Sequence, residues 1–191
     1  MSSYYRIADH IINIINNGNK LSTLSLLPSF VPFKCDNLLN EKILFKLTID
    51  QSVTLIESDK VHHIRAFDTG NGDIVVDRLA NGGYQFLIKN IQGENCVLLI
   101  TNKDFSDCRC RLYGTDNMQR FGLNNALMLV MAFAGSSKDT ILVHASLVRH
   151  NNYGYAFIAK SGTGKSTQVS LWLKYIPNCD LMNDDNPVIR L

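Results

Sequence analysis

Ala159-Lys160-Ser161-Gly162-Thr163-Gly164-Lys165-Ser166-Thr167 is the stretch on which the reading of this chain turns. It meets the phosphate-loop pattern G-x-x-x-x-G-K-[ST] at every fixed position but the first, where Ala159 replaces Gly. Such a loop turns its backbone N–H groups inward around phosphate oxygens, and the helix that follows presents its positive dipole end to them. The expected phosphate-binding set is Ser161, Gly162, Thr163, Gly164, Lys165, Ser166 and Thr167. Ala159 is tolerable if its φ is negative, as most L-residues require. A G-x-G-K-[ST] match arises by chance in roughly 1% of chains of this size, so the flanking residues matter.

Before the loop, Tyr153-Gly154-Tyr155-Ala156-Phe157-Ile158 reads as a buried strand. After it, Val169, Trp172, Leu173 and Ile176 fall at i, i+3, i+4 and i+7 on a helix that Pro177 ends. Strand, Gly-rich turn and helix is the order that phosphate binding requires. The alternative is a Gly/Ser connection that binds nothing. Lys165 weighs against it, because a cation at a helix start is disfavoured by the dipole unless an anion accompanies it. Ser166 is the candidate Mg²⁺ hydroxyl, with a first-turn capping role as its structural alternative.

Working outward, Ile141–Val148 and Tyr153–Ile158 read as neighbouring strands around Asn151-Asn152, and Cys179–Asn183 as a short strand. Asp184 and Asp185 follow it. Adjacent carboxylates at a strand end suit Mg²⁺ binding by one, Asp184, and base duty by the other, although Asp-Asp before Asn-Pro is also common turn chemistry. His144 lies in an apolar run, and on the residues alone a satisfied core histidine is the better reading. Asp116 to Gly135 forms a long apolar helix with Asp116 as a candidate N-cap. Upstream, turn signals separate the short runs Ile43–Ile49, Val61–Phe67, Asp73–Arg78, Tyr84–Ile91 and Cys96–Thr101. The expected organisation is therefore a mostly antiparallel β module at 1–115, followed by an α/β nucleotide domain at 116–191.

Composition bounds the rest. The chain has 191 residues, 46% of them hydrophobic and 19% charged, with a net charge of +2. That is globular composition with too little charge to argue for nucleic acid or a membrane surface. No apolar run is long enough to span a bilayer, and no signal-peptide core opens the chain. Five cysteines without framework spacing fit a reducing, cytoplasmic setting. Cys108 and Cys110, at strand spacing, share one face and read as packing residues. Leu191 falls within a β-like run, and an open α/β nucleotide domain needs more strands than remain after Asp185. The expectation is that the chain is the front part of a longer protein or a truncated gene product.

Three ordered motifs now resemble the core of the HPr kinase/phosphorylase family: Val143-His144-Ala145-Ser146-Leu147-Val148, the loop Ala159–Ser166, and Asn183-Asp184-Asp185. The resemblance covers Ile141 to Leu191. It implies a P-loop α/β domain of the phosphoenolpyruvate carboxykinase type, with ATP and Mg²⁺ as cofactors. It also implies that His144 lies beside the phosphates, and that Asp184 and Asp185 share Mg²⁺ binding and base duty towards a serine hydroxyl. The implied catalytic set is Asp184, Asp185, His144 and Lys165, with Ser166 and Asp184 on the metal. The β module does not resemble the regulatory domain of the family's best-known members, so HPr itself is not implied as the substrate.

The leading expectation is a phosphotransferase moving the γ-phosphate of ATP to a hydroxyl of a protein or a small molecule. A nucleotide-binding regulatory module without catalysis is the alternative, and a homo-oligomer is compatible with either. A carboxykinase acting on a carboxylic acid is a third reading. It calls for a cluster of metal-binding His, Lys and Asp that the sequence does not display.

Overall fold

The computed structural model describes residues 1–36 and 41–191. The chain divides into two compact units, Met1–Ser137 and Lys138–Leu191. In the first unit β1 (Ser2–Ile7) and β2 (His10–Asn17) precede a short helix α1 (Thr23–Leu26), a 3₁₀ segment (Pro28–Phe33) and β3 (Lys34–Cys35). Then come β4 (Ile43–Asp50), β5 (Val61–Asp68), β6 (Asp73–Leu79), β7 (Tyr84–Lys89), β8 (Asn95–Thr101), β9 (Asp107–Leu112) and the long helix α2 (Asp116–Gly135).

These strands form one nine-stranded sheet in the order β3-β1-β2-β4-β9-β8-β7-β6-β5. It is mixed, because β4 runs parallel to both of its neighbours. Strict alternation along β4 buries Phe45, Leu47 and Ile49. Across the register, Leu47 and Ile49 meet Cys108 and Cys110 of β9, which in turn meet Thr101 and Leu99 of β8. Helix α2 packs on this sheet, with Leu123, Ala126, Leu127, Val130 and Met131 buried. Its approach is close at Gly122, where a Cβ would come within 2.9 Å of the Cys96 backbone. The cap is Thr115, whose hydroxyl accepts from the Met118 N–H, so the expected N-cap Asp116 is instead the first helical residue. Burial pushes the Cys108 thiol up to about 12 and raises Cys110 further, as inert packing groups require.

The second unit holds β10 (Thr140–Leu142), β11 (Ala145–His150), β12 (Tyr153–Ile158), α3 (Lys165–Tyr175), β13 (Cys179–Asn183) and β14 (Val188–Arg190). β12, β11 and β13 make a three-stranded sheet in that order, and β10 pairs with β14. Every pairing here is antiparallel. Asn151 and Asn152 both take positive φ, which closes the β11–β12 hairpin as a two-residue turn of the primed type. Helix α3 lies against this sheet, with Val169 buried.

This overturns the expected fold class. The chain is mostly β, 43% strand and 24% helix, dominated by the mixed sheet, and it shows no P-loop α/β domain pattern of the HPr kinase or phosphoenolpyruvate carboxykinase type. Parallel sheets need crossover connections that carry helices on both faces. Here the strand leading into the Gly-rich loop pairs only with an antiparallel neighbour, through a tight turn. The long helix, placed by the sequence reading at the head of the second domain, lies within the first compact unit.

Candidate functional site

The second unit contains a cavity of about 390 Å³ lined by His144, Ser161, Gly162, Gly164, Lys165, Ser166, Thr167, Asp184 and Asp185. Two local devices build one wall. Gly162 and Gly164 take φ of 79° and 92°, values that favour glycine, and open space surrounds a Cβ at Gly162. Gly164 is the N-cap of α3, so the N–H groups of Lys165, Ser166 and Thr167 have no intrahelical acceptor. Ala159 is not among the residues with positive φ, so the missing first glycine strains nothing. Thr163 does not line the cavity; its hydroxyl donates to the Lys160 carbonyl at 2.7 Å.

The opposite wall is set by β-pairing around a break. The expected strand Ile141–Val148 is interrupted at Val143-His144, between β10 and β11. On either side of His144, the Val143 N–H donates to the Pro187 carbonyl at 3.2 Å and the Ala145 N–H to the Asp185 carbonyl at 2.9 Å. The buried Ser146 hydroxyl donates to the Asp184 carbonyl at 3.4 Å. These bonds hold the aspartate segment beside His144. Asn183 Oδ1 accepts from the Asp185 N–H at 2.9 Å and closes the turn between the two strands. His144 is therefore not a core residue: its side chain is half exposed, 50% against 72% for Asp185.

The walls meet at one cation. Lys165 Nζ donates to His144 Nε2 at 2.9 Å, to the Ala159 carbonyl at 2.9 Å and to the Lys160 carbonyl at 3.3 Å. His144 Nδ1 lies 3.3 Å from Asp185 Oδ1, and Asp185 Oδ2 accepts from Asn186 Nδ2 at 2.7 Å. The structure thus brings together His144, Lys165, Ser166, Asp184 and Asp185, from three stretches distant in sequence. The sequence reading missed the roles of the Ala159 and Lys160 carbonyls, of Asn183 and of Asn186. Of these, only the Asn183-x-Asp185 turn has a signature legible in sequence.

Among the described residues no group of three or more His, Cys, Asp or Glu side chains is arranged to hold a metal on its own. Also among them, no helix is long and apolar enough to cross a membrane. Comparison with family models, with curated proteins and with solved structures finds no match for this chain.

Proposed function

We propose that the cavity in the second unit binds the phosphates of a nucleotide and that the protein is an ATP-dependent phosphotransferase with a hydroxyl acceptor. The observation that carries this reading is Lys165. Its ammonium stands at a helix N-terminus, where the dipole disfavours it, beside three free first-turn N–H groups and within 2.9 Å of His144. An anion at that point would balance the charge of the ammonium, whose three present acceptors are all neutral, and would accept from the first-turn N–H groups. Ser161, Gly162, Gly164, Ser166 and Thr167 would cradle the phosphates, and Lys165 would neutralise the transferring group. Ser166 and Asp184, with a hydroxyl and a carboxylate, line the same cavity. These two side chains would hold Mg²⁺, and the ion would supply charge neutralisation to the phosphates.

A nucleotide-binding module without catalysis is favoured by one specific observation. His144 and Asp185 are open to solvent, whereas phosphoryl transfer profits from a water-excluded site. Titration calorimetry with Mg-ATP tests the shared core of both readings. Wild type is expected to bind and Lys165→Ala to lose measurable binding; equal binding by the two proteins would reject the phosphate site. Asp184→Asn separates the readings, since a kinase loses phosphotransfer with it and a pure binding module keeps its function.

A further inference from the structure

The hydrogen bond between Lys165 and His144 points to the ring nitrogen that carries the lone pair. A lysine ammonium has only donors to offer. Nε2, which receives its hydrogen bond at 2.9 Å, is therefore the acceptor, and the neutral ring carries its proton on Nδ1. Nδ1 faces Asp185 Oδ1 at 3.3 Å. The carboxylate behind the ring and the lone pair in front repeat the orienting logic of a nucleophile–base–carboxylate chain, with one difference. No hydroxyl occupies the front of the imidazole. The group there is the lysine that would hold the phosphates.

Resting on the phosphotransferase reading above, we infer that His144 is itself the nucleophile, and that its Nε2 accepts the terminal phosphoryl group of a nucleoside triphosphate as a phosphohistidine. Phosphate entering the loop draws the Lys165 ammonium onto its own oxygens and uncovers Nε2 beside the terminal phosphorus. The Nε2 lone pair forms the N–P bond. The bond from that phosphorus to the β,γ-bridging oxygen breaks, and the nucleoside diphosphate leaves with its electrons. The Nδ1 proton stays on the ring, where Asp185 offsets the positive charge that the imidazole gains. No further reactant is consumed. Asp185 is a positioning residue in this step. Its second oxygen is already engaged by Asn186, which fixes the carboxylate behind the ring rather than in front of it.

The test is to incubate the full chain with Mg-ATP labelled on the terminal phosphate, quench, and map the label. The expected result is a label that is lost in acid, stable in alkali, and located on His144. His144→Gln is expected to lose the label entirely while keeping the wild-type Trp172 emission and urea midpoint, which shows that the variant is folded. Asp185→Asn should slow labelling by about tenfold or more without abolishing ATP binding. ATP binding by wild type with no label, or with an acid-stable label on a hydroxyl, overturns the phosphohistidine and leaves the nucleotide site standing. ATP turnover without label overturns it in favour of a general-base role for the same ring. Failure of wild type to bind ATP removes the underlying reading, and this inference with it.

Discussion

At the scale of single residues, the structure separates positions that shape the backbone from positions that hold charge. Asp50 is the clearest of the second kind. Its carboxylate accepts from the Ser52 hydroxyl at 2.6 Å, from Arg109 at 2.6 Å and from the Ser52 N–H at 2.8 Å. The Ser52 hydroxyl foremost, with Arg109 and the Ser52 N–H, holds its pKa at about 2. An unfolded aspartate titrates near 3.9. The folded value is the lower one, so the stabilisation is present above about pH 4 and is lost as the pH falls through about 2. Asp50→Asn lacks this titration. Its urea midpoint is expected to fall less steeply than that of wild type between pH 4 and pH 2; parallel curves would show that the carboxylate contributes nothing. Ala8 and Asp9 belong to the first kind. Both take positive φ in the turn that closes β1 onto β2, a conformation that costs an alanine about 1–2 kcal/mol.

Elements were legible where local chemistry and tertiary context agreed. Helix α2 and strands β4 to β8 follow from apolar periodicity and from turns such as Asn81-Gly82-Gly83. The β1–β2 hairpin did not, because Ala-Asp is not a turn signal and only the pairing enforces it. Sheet direction was the larger failure. Strand–turn–helix reads identically whether the strand enters a parallel or an antiparallel sheet, and the Asn151-Asn152 connection between the two neighbouring strands is what marks the latter. The residues that line the cavity lie in short motifs legible in sequence, whereas the break that exposes His144 comes from pairing with Asp185 and Pro187, far along the chain. Gly122 shows the same contest between local and tertiary terms. Alanine there would gain about 1 kcal/mol of helix propensity. Its Cβ would stand 2.9 Å from the Cys96 carbonyl carbon and oxygen, and overpacking of that kind costs about 1–3 kcal/mol. Gly122→Ala is therefore expected to destabilise the protein in denaturant unfolding, and a stabilised variant would mean that α2 sits farther from β8 than described.

On the scale of the whole molecule, the two units are unequally provided. The first has a sheet, a covering helix and a continuous apolar core. The second is small, and Tyr153, Ile158 and Tyr175 are each about two-thirds exposed. Small domains bury proportionally less surface and are correspondingly marginal. A fragment of residues 1–137 is expected to unfold cooperatively, and one of residues 138–191 to show no cooperative transition by itself; the reverse result would relocate the stabilising core. The only tryptophan of the chain, Trp172, is in the second unit, on the helix that starts at Lys165, with ring centroids 5.1 Å from Tyr155 and 5.4 Å from Phe157. Indole emission from this protein therefore has a single origin, on the helix whose first turn lines the candidate site. Its intensity and colour report on the smaller unit alone, against a first unit that is dark at the same excitation, so that ligand titration and local melting can be followed optically in the unaltered chain.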